Sequence, residues 1–121
     1  LMYATAYGHI DVARLLVEGK ANLEEADSLG WTPLMFAEYF DKTEMAIFLI
    51  EKGANVNARS KAGWTPLMYA ALFNRLETGK ALINNKADIN AKSPKGETAL
   101  SIALEEGRTE FAEMLKKAGA R

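Results

Sequence analysis

Apolar residues return along the chain in a helical rhythm. Val12, Leu15 and Leu16, then Met45, Phe48 and Leu49, then Phe111, Met114 and Leu115 each follow the spacing i, i+3, i+4 that gathers side chains on one face of a helix. The three sets share one phase of a 33-residue period, and each is preceded by a shorter apolar run. Thr32-Pro33 opens the clearest of these shorter runs. A Thr hydroxyl accepts from the free N–H groups of a first helical turn, and proline loses nothing where an N–H would have no partner. That run ends at Asp41, and the equivalent positions hold Gly8, Asn74 and Gly107. Glycine, asparagine and aspartate most readily enter the left-handed conformation that ends a helix. The second helix stops at Gly53, and the polar stretch through Ala54-Asn55-Val56-Asn57 leads to the next Gly-Trp-Thr-Pro. The predicted unit is helix, turn, helix and hairpin-like loop.

The unit repeats. Gly-Trp-Thr-Pro-Leu-Met occupies 30–35 and again 63–68, a worn copy begins at Gly96, and Leu1 falls where the Leu of a fourth copy belongs. Aligned without gaps, 27–59 and 60–92 are identical at 14 of 33 positions, with mild exchanges such as Phe36/Tyr69 and Val56/Ile89. A fixed period of this size means a solenoid whose units stack side by side, because one unit cannot bury its own apolar face. The expected architecture is an all-α repeat solenoid forming one domain over 1–121, with units at approximately 1–26, 27–59, 60–92 and 93–121.

Within that frame the units differ. Gly79 lies inside a predicted second helix, at about 1 kcal/mol against alanine, and Lys86 replaces the terminating glycine, so looser packing is expected in the third unit. The register of Gly79 holds Ala13, Ala46 and Ala112 elsewhere, which points to a close inter-helix contact there. The fourth unit carries Glu105, Glu106, Arg108, Glu110, Glu113, Lys116 and Lys117, as suits a terminal unit with one face in water. The first lacks its loop and Thr-Pro opening, and the protein is expected to continue upstream of it.

Composition narrows the functional classes. A formal charge of −1, from 15 basic and 16 acidic residues, supplies no global field for nucleic acid or a membrane surface. The absence of cysteine removes disulfides and thiolate metal sites and suits a reducing, cytoplasmic setting. The longest apolar run, Met45–Ile50, is far short of the ~20 residues needed to span a bilayer. No catalytic constellation, metal site or cofactor is expected. One histidine cannot make a zinc site, Glu24, Glu25 and Asp27 read as a solvated acidic loop, and the glycines stand singly rather than as a phosphate cradle.

The repeated D-x-x-G-x-T-P-L-x-x-A, the helix-ending Gly, Asn or Asp, the Leu-rich second helix and G-A-x-V-N resemble the ankyrin repeat over essentially the whole chain. The resemblance implies a stack of antiparallel helix pairs with β-hairpin-like fingers, and a concave groove formed by the fingers and inner helices. It implies a non-catalytic module that binds a protein or peptide, and a structural role for His9 beside the helix-ending Gly8. One departure is that Met2, Met35, Met68 and Ser101 replace the usual histidine after Thr-Pro-Leu, which removes a familiar hydrogen-bond network between loops. Another is that Lys20 and Lys86 stand where glycine is usual.

In the family, the finger tips, the residue after the finger glycine and the end of the first helix face the groove. Carried over, the partner-binding positions are Leu29, Trp31, Tyr39 and Phe40 in the second unit and Lys61, Trp64, Leu72 and Phe73 in the third. Exposed aromatics in one patch mark interaction surfaces, and acidic Glu97, Glu105 and Glu106 favour a basic flank on the partner and disfavour nucleic acid. The competing expectation is packing: Trp31 and Trp64 stacked on each other as a ladder, with Tyr7, Phe40 and Phe73 folded over the methionines. Tyr3, Phe36, Tyr69 and Ile102 read as inter-unit packing. A monomer is expected. Alternative readings are a regulatory segment of a larger enzyme, channel or effector, and a designed or structural scaffold with no partner of its own. The context from Leu82 to Asp88-Ile89-Asn90 resembles that of hydroxylated ankyrin asparagines, which makes Asn90 a candidate for that modification.

Overall fold

The computed structural model describes residues 1–121. Eight helices run in four pairs: α1 (Met2–Ala6) with α2 (Ile10–Glu18), α3 (Pro33–Tyr39) with α4 (Thr43–Glu51), α5 (Pro66–Phe73) with α6 (Leu76–Asn84), and α7 (Ala99–Glu105) with α8 (Thr109–Lys117). Helices α1, α3, α5 and α7 pack in chain order as one layer; α4, α6 and α8 form a second, and each pair also packs internally. No strand forms. The loops between pairs are tight turns, so the expected fingers are present as turns rather than as ladders. No helix is long and apolar enough to cross a membrane.

Local chemistry sets the helix limits. Thr32 and Thr65 accept from the N–H of Met35 and Met68 at 3.4 Å, and Thr98 from Ser101 at 3.1 Å. Only the last cap is reciprocal, because Ser101 Oγ accepts from the Thr98 N–H at 2.9 Å while methionine has no such acceptor to offer. Met35 and Met68 are buried in the core instead. The first helices end as expected, with φ of 70°, 56°, 60° and 72° at Gly8, Asp41, Asn74 and Gly107. Lys20 and Lys86 also take left-handed values, 67° and 70°, at positions where Gly53 and Gly119 do so without a Cβ.

Successive pairs interlock through one small residue. A Cβ on Gly79 of α6 would lie 2.8 Å from Phe111 Cζ of α8 and 3.0 Å from Met114 Cε. Gly79 thus makes a close contact, and the looser packing expected around it is not observed: Thr78, Leu82 and Phe111 are fully buried. The contact also shows that the register of Val12, Met45, Thr78 and Phe111 faces the preceding pair. Met45, Leu49, Leu82 and Leu115 are accordingly buried, whereas in the first pair, with no neighbour on that side, Val12, Leu15 and Leu16 are exposed.

Hydrogen bonds link the loops despite the missing histidines. Glu24, Asn57 and Asn90, one period apart, accept through their side chains from the N–H of Asn55, Asp88 and Arg121 at 2.8, 2.7 and 3.0 Å. Arg59 reaches the carbonyls of Gly63 and Lys92 at 2.9 and 2.8 Å. Between the helix layers, Arg75 donates to the carbonyls of Glu38 and Tyr39 at 2.7 and 3.3 Å, and Arg108 to that of Leu72 at 3.1 Å. These guanidiniums satisfy helix-terminal acceptors and sit at the negative end of the helix dipole.

Three residues carry buried side-chain atoms without a hydrogen-bond partner: Thr5, Glu38 and, at its Nε, Arg108. Glu38 is 1% exposed and neither carboxyl oxygen has a hydrogen-bond partner; Thr5 Oγ1, in the same register of α1, is likewise alone. Arg75 spends its donors on backbone carbonyls and its charge on Asp41, 3.6 Å away, the only ion pair in the chain. Burial therefore pushes the Glu38 carboxyl well above its ordinary range, and Arg75 opposes this only in part.

Three outcomes are expected. Gly79→Ala adds a methyl against the enclosed Phe111 ring, and overpacking of 1–3 kcal/mol outweighs the ~1 kcal/mol gain in helix propensity, so urea unfolding should show a net loss of about 1 kcal/mol. Lys86→Gly removes a left-handed penalty of about 1–2 kcal/mol at an exposed site, offset by the entropy of glycine, and should raise stability by about 0.5–1 kcal/mol. For Glu38 the folded pKa exceeds the unfolded one, so its penalty is absent below the ordinary carboxylate value of 4.5 and grows as pH rises from there toward the raised pKa. The gain in stability from Glu38→Leu should then be larger at pH 7 than near pH 4 by roughly 1–3 kcal/mol, measured as the difference between the two chains' unfolding curves.

Candidate functional site

Each finger is built on a residue whose side chain turns back on its own backbone. Asp27 accepts from the N–H of Leu29 and Trp31 at 2.9 Å each; Ser60 and Ser93 accept from Trp64 and Glu97 at 3.4 and 3.1 Å. The backbone closes the same turns, with the N–H of Asp27, Ser60 and Ser93 donating to the carbonyls of Trp31, Trp64 and Glu97 at 3.1, 2.9 and 2.8 Å. Adjacent fingers meet at their glycines. Gly30, at φ 75°, leaves room for the Lys61 N–H, which donates to the Leu29 carbonyl at 3.0 Å. Gly63, at φ 78°, is covered by the ring of Pro94, and proline has no N–H with which to repeat that bond. The residue after each glycine is thereby held over the helix layer.

Those residues, Trp31 and Trp64, join a continuous band of rings. Trp31 lies 5.0 Å from Tyr69, 5.5 Å from Tyr39, 5.7 Å from Phe36 and 6.5 Å from Phe73, and Trp64 lies 5.1 Å from Tyr69. The two tryptophans do not stack on each other; Tyr69 stands between them. Its hydroxyl shares a 2.8 Å hydrogen bond with Ser60 at the base of the finger, and its ring is buried. Phe73 stacks on Tyr69 at 6.1 Å and meets Tyr39 edge-on at 5.5 Å. Centroid separations of 4.5–7 Å in tilted or edge geometries are those at which aromatic pairs attract.

The candidate residues divide by exposure. Leu29, Tyr39 and Phe40 are exposed, at 61%, 50% and 47%, and Lys61 is exposed; Trp31, Trp64, Leu72 and Phe73 are half-buried. Met35 and Met68 lie in the core and Met2 is half-buried; of the rings expected to fold over them, Tyr7 and Phe40 are exposed and Phe73 is half-buried. Tyr3, expected to pack between units, is also exposed, whereas Tyr69 and Ile102 are buried as expected and Phe36 half-buried. Tyr69 is the residue whose importance to the surface the linear pattern understated: its phase marks it as packing, and only the fold brings two indoles onto it.

Beside Trp64 the surface dips into a cleft of ≈ 410 Å³ lined by Ala62, Trp64, Tyr69, Leu72, Pro94, Lys95 and Glu97. Glu97 Oε1 accepts from the Trp64 indole N–H at 3.3 Å and from Ser93 Oγ at 2.9 Å. Away from this face, Asn90 bridges to the C-terminal loop: its Oδ1 takes the Arg121 N–H, and its amide lies 3.5 Å from the Gly119 carbonyl. His9 is exposed and its ring lies 6.1 Å from that of Tyr7.

A family model described as ankyrin repeats (3 copies) matches the chain over residues 1–60 and again over 57–121. No curated protein matches it.

Proposed function

Because the chain belongs to the ankyrin-repeat family, whose members are generally protein–protein interaction modules and typically non-catalytic, we propose that it binds a protein or peptide as a monomer through the aromatic band over α3 and α5. The observation that carries this is the exposure of Leu29, Tyr39 and Phe40 in one patch with half-buried Trp31, Trp64, Leu72 and Phe73. Stability alone does not require large apolar side chains at such positions: Glu105, Glu106 and Glu97 fill the corresponding registers of the fourth pair. A rigid cluster of indole and phenol rings loses little entropy on binding, and such residues dominate measured interface energies. The half-buried members serve both ends at once, bracing the fingers through Tyr69 while presenting one edge outward.

Nucleic acid is the less suitable partner. Stacking of bases on this band would need a basic track beside it, whereas the charges around it are of both signs: Lys61, Lys95 and, over the Phe73 ring, Arg75, with Glu97, Glu105 and Glu106 in the fourth pair.

A photo-crosslinking residue placed at position 39, with position 51 on the exposed end of α4 as control, should capture a protein from position 39 only. Titrating that protein against Tyr39→Ala should show a loss of about 2 kcal/mol in affinity, while the melting temperature moves by no more than a few degrees. Equal affinity for the native chain and Tyr39→Ala would overturn the proposal.

A further inference from the structure

Glu97 stands out among the carboxylates of the chain. It is half-buried, it forms the wall of the cleft beside Trp64, and it has no cation within ion-pair distance, the only ion pair being Arg75 with Asp41. Its two hydrogen-bond donors, the Trp64 indole and the Ser93 hydroxyl, are neutral and both fall on Oε1, so the negative charge is uncompensated and Oε2 is left as an open acceptor. The tryptophan alongside lacks a cation too. The cation–ring contacts in the chain are made by Arg14 and Lys52 with Phe48 and by Arg75 with Phe73, and none involves an indole, although tryptophan is the best ring for that interaction.

We propose that this cleft is the seat of an arginine side chain from the bound protein or peptide, an inference that rests on the interaction reading above and names the chemistry it recognises. The guanidinium stacks on the face of Trp64, its aliphatic stem lies along Leu72 and the Pro94 ring, and its N–H groups donate to Glu97 Oε2. Arginine fits better than lysine because a planar, weakly hydrated cation satisfies the ring and the carboxylate together, whereas a compact ammonium must give up more hydration to do so. The Trp64–Glu97 bond holds both recognition groups in place before the ligand arrives, which reduces the ordering needed on binding. Lys95 lines the same cleft and carries the charge of the ligand, so it competes with it.

The test uses the whole chain and two blocked tripeptides, Gly-Arg-Leu and its isosteric citrulline counterpart, followed by nuclear magnetic resonance of the indole N–H groups. The two tryptophans of the chain supply a reporter in Trp64 and an internal control in Trp31. The arginine peptide should shift the Trp64 indole signal saturably, and the citrulline peptide should bind at least tenfold more weakly. Glu97→Gln keeps an acceptor for Trp64 and Ser93 but removes the charge; it should weaken the arginine peptide at least tenfold without altering the melting temperature. Lys95→Ala should strengthen it two- to threefold, and added salt should weaken it. Equal binding of the two peptides, or indifference to Glu97→Gln, would overturn the proposal. The same variant separates this inference from the reading beneath it. If the protein captured from position 39 loses affinity with Tyr39→Ala but not with Glu97→Gln, the aromatic interface stands and the arginine seat falls; if neither change matters, both fall.

Discussion

The close approach of consecutive helix pairs is the constraint on which the rest of this structure depends. No pair can bury its own apolar stripe, so each must lie against the next, and the distance between them is set by the smallest side chain on the facing surface. Ala13, Ala46, Gly79 and Ala112 occupy that register and all are buried. At Gly79 the spacing is tight enough for the Phe111 ring to occupy the volume of a missing Cβ. The fingers obey the same rule: Gly30 and Gly63 admit the neighbouring Lys61 backbone and Pro94 ring, while Gly96, in the last finger, has nothing against it. Once the pairs are held at this spacing, everything that repeats along the chain becomes adjacent in space.

Adjacency converts a sequence period into interactions. Residues 31 to 37 positions apart form the rungs that bind one loop or helix end to the next, from Glu24 with Asn55 to Arg75 with the carbonyls of Glu38 and Tyr39. Replacing the family's usual histidine by methionine moved two side chains into the core and left inter-loop cohesion to these rungs. The arrangement has one cost that is visible directly. Glu38 follows the helical phase of a buried position, yet the arginine close enough to neutralise it is committed to backbone acceptors, so its carboxyl is buried without a partner.

The aromatic band follows from the same geometry. Trp31 and Trp64 are one period apart, and Tyr69, one turn into α5, is where their two fingers converge; its hydroxyl bond to Ser60 fastens the finger to the helix beneath. A surface assembled this way is rigid because the rings that face outward are the outer edges of rings that pack inward. In the proposed interface, bracing and binding are assigned to the same atoms. Leu29, Tyr39 and Phe40 stand outside this bracing, more exposed than the tryptophans.

The helix pairs and their limits are legible in the linear sequence, because Thr-Pro openings, left-handed endings at Gly8, Asp41, Asn74 and Gly107, and an i, i+3, i+4 apolar stripe are local or periodic chemistry. It also marked Gly79 as a place of close contact through its register with three alanines. It did not reveal that the contact is tight rather than loose, that Tyr69 lies between the tryptophans, or that Glu97 turns its carboxylate toward Trp64. It also gave the same reading to Tyr3 as to Tyr69, and to Leu15 as to Phe48, though one of each pair is exposed and the other buried. The reason is physical: a repeated sequence specifies the same unit each time, whereas burial, ring contact and the pairing of charges depend on which neighbour lies on each side of that unit, and only the assembled stack supplies the neighbour.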